Sequence, residues 1–121
     1  MKVACGVMYD KAGNILMGLR SGNGPNPWFW EFPGGKVESN ETVEQCLRRE
    51  WKEELNLNIK IDRLIGKSIY GFVECFFYIG KIKDIKNLKI NVHEYVGFYK
   101  PKDVLKLRLF EGDDEIVKKL L

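Results

Sequence analysis

Hydrophobic and polar positions along the chain fall into two periods, and each marks its own elements. Residues Lys2–Tyr9 (KVACGVMY) are mostly small or β-branched and read as a buried strand. Residues 10–14 (DKAGN) make a turn, and Ile15–Leu19 (ILMGL) returns as a partner strand. This hairpin is expected at the centre of a sheet. In the aromatic run 28–32 (WFWEF), alternation sends Trp28, Trp30 and Phe32 to one face and Phe29 and Glu31 to the other. Trp28 and Phe29 are read as core. Two further strands are expected over 59–69 and 71–82, where imperfect alternation makes Gly71 and Gly80 candidate bulges. A strand over 96–99, a helical turn over 102–105 and a last amphipathic helix over 115–121 complete the pattern. Asp113 or Asp114 is the expected N-cap of that last helix, where a carboxylate satisfies backbone donors and the helix dipole. Pattern alone gives an α/β or α+β domain of two helices and about six strands.

Between these strands lies a helix with an energetic anomaly. Thr42-x-x-Gln45 is a capping box, so the helix begins after Thr42. Advancing about 100° per residue puts Val43, Cys46, Leu47, Trp51 and Leu55 on one arc facing a core. Glu50 and Glu54 project into the middle of that arc, and Glu53 lies at its edge. Burying an unpaired carboxylate costs several kcal/mol, and neighbouring like charges add to it. Arg49 can reach Glu53 at i,i+4, but one arginine does not balance three glutamates. A divalent metal held by oxygen ligands is the remaining partner. A solvated charged helix would explain the REWKEE run alone, but not that run following PGGKVE.

Composition narrows the class. The chain of 121 residues is long enough for one domain spanning 1–121 with a single core. A formal net charge of +3 suits a polyanionic small ligand and is too low for a nucleic-acid-binding footprint. Cys5, Cys46 and Cys75 are odd in number, widely spaced and set among apolar residues, which reads as reduced core thiols in a cytoplasmic protein. No apolar run is long enough to span a bilayer. The basic 81–89 segment reads as a solvated edge or loop.

The spacing Gly35, five residues, Glu41, seven residues, Arg49-Glu50-Trp51, any residue, Glu53-Glu54, any residue, Asn56-Leu57 resembles the Nudix box, G-x5-E-x7-R-E-U-x-E-E-x-G-U with U apolar. Every charged position matches. Trp51 stands where an aliphatic residue is usual. Asn56 replaces the usual glycine, and asparagine is the second choice for a left-handed residue at a helix C-terminus. The resemblance covers nearly the whole chain and is looser beyond Leu57. It implies the Nudix fold, an α/β/α sandwich with a mixed β-sheet between helices, and Mg2+-assisted hydrolysis of a nucleoside diphosphate linked to another group, with Mn2+ as a possible substitute.

It also implies roles. Glu53 and Glu54 become the principal metal ligands, with the Gly34 carbonyl beside them and Glu41 further out. Glu50 is the general base and Arg49 orients the cluster. Some members take the base from outside the helix and bind metal at the Glu50 position, and Glu94 is the candidate for that outlying ligand or base. His93 is read as a loop or packing histidine. Arg20, before the Gly- and Pro-rich loop 21–27, is a nucleotide contact. Phe32 is a candidate to stack on the base, Lys36 and Glu38 to contact substrate, and Asp113 to read the edge of the base. WEFPGGKVE, the small size and the late aspartate resemble the MutT-like group. That group cleaves (deoxy)nucleoside triphosphates, often oxidised purines such as 8-oxo-dGTP, to monophosphate and pyrophosphate. Pyrimidine triphosphates (CTP or dCTP) or another nucleoside diphosphate derivative are the alternative within the class. A catalytically silent nucleotide-binding domain is the alternative outside it, disfavoured because Glu41, Glu50, Glu53 and Glu54 are all present. The partner expected is a small nucleotide, with no nucleic-acid polymer and no membrane, bound by a monomer or homodimer.

Overall fold

The computed structural model describes residues 1–121. The elements run β1 (Lys2–Tyr9), β2 (Ile15–Leu19), β3 (Trp30–Glu31), β4 (Gly34–Lys36), α1 (Val43–Leu55), β5 (Ile59–Tyr70), β6 (Val73–Ile82), β7 (Tyr95–Tyr99), α2 (Pro101–Val104) and α3 (Asp113–Lys118). All seven strands join one mixed sheet in the order β3-β2-β1-β6-β5, with β4 beside β1 and β7 beside β2. β1 is central, as expected, and pairs in parallel with β6 along its whole length, from Lys2↔Glu74 to Tyr9↔Lys81.

Alternation along β1 divides the core between two layers. Ala4 and Met8 join Leu16, Cys46, Leu47, Trp51 and Leu55 beneath α1. Val7 joins Ile15, Met17, Phe77, Val104, Ile116 and Val117 beneath α2 and α3. The sheet is thus covered by helices on both faces, which is the α/β/α arrangement. No helix is long and apolar enough to cross a membrane.

The β1–β2 hairpin is paired only at its base, at Tyr9↔Ile15. Toward its open end β1 turns instead to β4, with Val3↔Lys36 and Cys5↔Gly34, while β2 pairs with β3 and β7. This divergence opens the cleft described below. Trp51 ties α1 to the split: its indole N–H donates to the Pro33 carbonyl at 2.8 Å, beside the Gly6 amide at 2.9 Å. A Cβ at Gly6 would lie 2.6 Å from that indole nitrogen, so the tryptophan in the box depends on the glycine facing it.

α1 is capped as its sequence dictates. Thr42 accepts from the Gln45 amide and Gln45 returns the bond, and Asn56 adopts the left-handed conformation at φ 55°. The carbonyl end of α1 is closed from outside the helix. Asn91 donates its side chain to the Glu53 carbonyl and its amide to that of Glu54, and the Lys89 amide reaches that of Leu55.

Several expectations are corrected. Trp28 is half exposed with φ 64°, outside any strand, and Phe29 is only partly buried, with the Arg108 guanidinium 4.2 Å over its ring. The aromatic strand is therefore just Trp30–Glu31; the left-handed residues Asn26 and Trp28 fold the preceding loop back before it begins. Gly71 is not a bulge but the first residue of the two-residue β5–β6 turn, with φ 59°. Gly80 lies inside β6, where a Cβ would meet the Lys60 carbonyl at 2.2 Å. The irregularities fall on β5 instead, between Ile61 and Arg63 and between Leu64 and Gly66. The last helix starts earlier than expected, and its N-cap is Gly112 at φ 93° with no side-chain cap, so neither Asp113 nor Asp114 caps it.

Candidate active site

Where β1 and β2 part, a cleft of about 340 Å³ is lined by Val3 and Cys5 of β1, Gly34, Gly35 and Lys36 of β4, Glu54 of α1, and Arg20, Glu31, Phe32 and His93, with loop residues between. Glycine is required on the β4 side. A Cβ on Gly34 would meet the Ala4 carbonyl, and one on Gly35 would stand 2.4 Å from the Glu50 carboxyl carbon. The helix carboxylates can thus approach the backbone of β4 directly.

The carboxylates divide by what Arg49 reaches. Its guanidinium holds Glu41 through two nitrogens at 2.6 and 3.0 Å, Glu50 at 2.7 Å and Glu53 at 3.3 Å, with Glu38 further off at 3.7 Å. It also donates to the Lys36 carbonyl. Arg49 holds the Glu41 carboxyl down to about 2, helped by the Glu38 amide. Burial raises the Glu50 carboxyl above its ordinary value, against the opposing pull of Arg49. Glu53 is corrected from the expected buried set: its side chain is 59% exposed, so only Glu50 and Glu54 turn inward.

Glu54 is the carboxylate left out of this network. Its Oε1 is buried and has no hydrogen-bond partner. Burial, then the charges of Glu50, Glu31 and Glu53, push its carboxyl up to about 8. An orphaned carboxylate oxygen on a residue that lines the same cleft as Gly34 and Gly35, with Glu50 and Glu53 one turn or less away, is an arrangement of hard oxygen donors that suits a hard divalent cation. No three acidic, histidine or cysteine side chains are gathered as a ready cage, because Arg49 holds Glu41, Glu50 and Glu53 to itself. The fit to a cation therefore rests on Glu54, with Glu50 and Glu53 available by exchange from the arginine.

The remaining predicted residues are placed unequally. Arg20 and Lys36 line the cleft. Glu38 is exposed beside it, its amide donating to Glu41. Phe32 touches the cleft but is only 3% exposed, its ring edge-on to Phe77 at 6.0 Å; the core holds it, so it is not free to stack on a base. Asp113 is buried outside the cleft lining. Burial and then the Glu31 charge raise its carboxyl well above the ordinary range, opposed by the Phe32 amide. Glu94 is exposed, pairs with no side chain and is not brought into the cleft. Its neighbour His93 is, buried with Nε2 2.9 Å from Glu31 Oε2. The sequence reading missed Glu31 altogether. Its only signal was a charged residue in an otherwise aromatic run. The cysteines are all free, with Cys46 buried and Cys5 and Cys75 half-buried.

Fold and site together define a domain that presents carboxylates to a cleft of about 340 Å³ with Arg20 and Lys36 in its lining. The NUDIX domain family matches residues 1–120, and the chain belongs to it. An 8-oxo-dGTP diphosphatase of Proteus vulgaris is 44% identical over 72 residues, 60% of this chain and 64% of that protein, so the matched stretch falls short of two thirds of either. A CTP pyrophosphohydrolase of Escherichia coli is 26% identical over 108 residues, 86% of this chain and 79% of its own length. The solved MutT protein of Methanosarcina mazei superposes with a TM-score of 0.83 over 98% of this chain and 91% of its own, at 18% identity, a likeness of fold.

Proposed function

We propose that this chain is a Mg2+-dependent nucleoside triphosphate pyrophosphohydrolase of MutT-like type. It takes (deoxy)nucleoside triphosphates, oxidised purines such as 8-oxo-dGTP among them, to monophosphate and pyrophosphate. The observation that carries the reading is Glu54: a half-buried carboxylate with an orphaned oxygen, in a cleft with Arg20 and Lys36, beside the Gly34–Gly35 backbone. Two cations and an oxygen-donor corner fit a polyphosphate and its metal better than any neutral ligand.

Glu54 and Glu53 with the Gly34 carbonyl would hold the cation, with Glu41 further out. Bound there, Mg2+ supplies charge neutralisation on the phosphate oxygens and the leaving group. The chain's own residues do the rest. A water oxygen bonds to phosphorus as the anhydride P–O bond breaks, and the water proton passes to the Glu50 carboxylate. Partial burial raises the proton affinity of Glu50, which suits a base. Arg49 fixes Glu50 and Glu41 around the attack site, and Arg20 and Lys36 seat the phosphates. The enzyme acts on free nucleotides in the cytoplasm, as a monomer or homodimer.

Pyrimidine triphosphates are the second reading, favoured by the length over which the Escherichia coli CTP pyrophosphohydrolase matches. Purified protein with Mg2+ should release pyrophosphate from at least one of 8-oxo-dGTP, dGTP, CTP and dCTP. ADP-ribose and diadenosine polyphosphates serve as controls for other nucleoside diphosphate derivatives. Absence of hydrolysis across the whole panel would sink the enzyme reading.

A further inference from the structure

β2 carries a glycine, Gly18, between Glu31 of β3 on one side and Val96 of β7 on the other. The ring of His93 lies across this glycine so closely that a Cβ there would stand 2.4 Å from Cδ2. Only a residue without a side chain lets the ring cross β2 and bring Nε2 to 2.9 Å from Glu31 Oε2. The other oxygen of Glu31 accepts Arg20 Nη1 at 2.7 Å, and Arg20 Nε donates to the Pro25 carbonyl at 3.0 Å. One carboxylate thus ties the loop that follows β2 to the segment that precedes β7, and both line the same cleft.

The arrangement constrains protons as well as positions. An ionised carboxylate can only accept, so the His93 ring carries a proton on Nε2. Nδ1 is buried and has no partner. Arg20 has Nε and Nη1 engaged while Nη2 has no protein partner, and its guanidinium lies 5.5 Å over the Phe110 ring. An arginine already ordered on three sides with one nitrogen free is prepared for an anion, because little rotamer freedom is left to lose on binding.

We propose that Glu31 is a positioning residue of the nucleotide site: by clasping Arg20 and His93 at once, it fixes the two walls between which a phosphate-bearing ligand is seated. The inference rests on the reading of the cleft as a nucleotide site. Glu31 itself does no chemistry on phosphorus, so its loss acts on binding more than on turnover.

His93 is the chain's only histidine, so a long-range 1H–15N spectrum reads its tautomer without ambiguity. The wild-type protein should show the Nε2–H form, and Glu31→Ala should lose it. With a nucleoside triphosphate that the wild type hydrolyses, Glu31→Ala should raise KM about tenfold while kcat changes less than about threefold. Glu31→Gln, which keeps an acceptor and the packing, should recover part of the KM and guards against a folding defect in the alanine variant. Gly18→Ala, which displaces the ring while leaving the Arg20–Glu31 pair, should raise KM in the same direction. An Nδ1–H tautomer in the wild type overturns the proposal. So does an unchanged KM in an active Glu31→Ala protein, or a loss confined to kcat. If the wild type hydrolyses no nucleotide, the reading of the site fails and this inference with it. Normal wild-type hydrolysis with an unmoved Glu31→Ala KM overturns the clasp alone.

Discussion

The indole nitrogen of Trp51 sits 2.8 Å from the carbonyl oxygen of Pro33, joining the helix that carries Glu50 and Glu54 to the residue before Gly34 and Gly35, the second of which Glu50 faces. Because a Cβ at Gly6 would collide with that indole, the two positions should behave as one unit. Gly6→Ala alone is expected to destabilise by about 1–3 kcal/mol through overpacking. In a Trp51→Leu background, itself destabilised by cavity formation, the same change should cost less than about 1 kcal/mol. Urea unfolding of the four proteins measures this. Simple additivity would show that the indole yields rather than the backbone.

Glu54 predicts a pH dependence of the metal-free protein. Its carboxyl is pushed up to about 8, above the ordinary value of 4.5, chiefly by burial. The stability linked to its protonated form is therefore complete below about pH 4.5 and is lost as pH rises through about 8. Glu54→Gln should flatten that decline, melting higher than wild type at pH 8 in EDTA. Mg2+ should raise the wild-type Tm at pH 8 and raise that of Glu54→Gln much less. Equal Mg2+ responses would remove Glu54 from the metal site.

For Arg49 the sign is opposite. Glu41 is held down to about 2 by the guanidinium, so stability linked to this pair is present above about pH 4.5 and fades as pH falls toward 2. Arg49→Lys keeps the charge but cannot hold Glu41, Glu50 and Glu53 in one fork. Activity is expected to fall about 10- to 100-fold, and the acid limb of the stability profile to shrink. Pyrophosphate release and thermal melts between pH 2 and 6 check both.

Glu53 is exposed and only loosely held by Arg49, so its removal should cost chemistry and little stability. Glu53→Gln should lose at least about a hundredfold in kcat, the order typical of one key electrostatic group, with Tm within a degree or two. A comparable loss of Tm would point to a structural role instead.

Asp113 tests specificity. Since Gly112 caps α3, loss of this carboxylate removes no cap. Although Asp113 lies buried outside the cleft lining, a part in reading the base would show in Asp113→Ala as a change of about tenfold in the ratio of kcat/KM between purine and pyrimidine triphosphates, with Mg2+ dependence unchanged. A uniform loss across bases would assign the residue to packing.

Much of this is legible in the sequence. The helix of the Nudix box, its capping box at Thr42 and its left-handed Asn56 follow from local rules that tertiary context did not disturb. β1, β2 and β7 follow from short apolar runs between clear turns. The period of the aromatic run extends a strand back over Trp28 and Phe29, and it carries no trace of the left-handed residues that fold the loop back there. Spacing located the carboxylates but not their partners. Nothing in REWKEE says that Arg49 holds Glu41 and Glu50 and leaves Glu54 alone, because that depends on where β4 lies against α1. His93 and Glu31 are 62 residues apart in sequence. Their meeting depends on Gly18 lying between two strands, a relation that no local pattern carries.

The closure of α1 by residues 89–91 has a further consequence. The Glu53, Glu54 and Leu55 carbonyls are satisfied by a segment that ends two residues before His93. Fraying of the last helical turn therefore releases that segment, and with it the imidazole wall of the cleft. The acidic and ligand-facing halves of the site should open as one cooperative unit, with matched hydrogen-exchange rates at the Asn91 and Asn56 amides. A sequence change at the tip of this loop would then be felt at Glu54 without touching it.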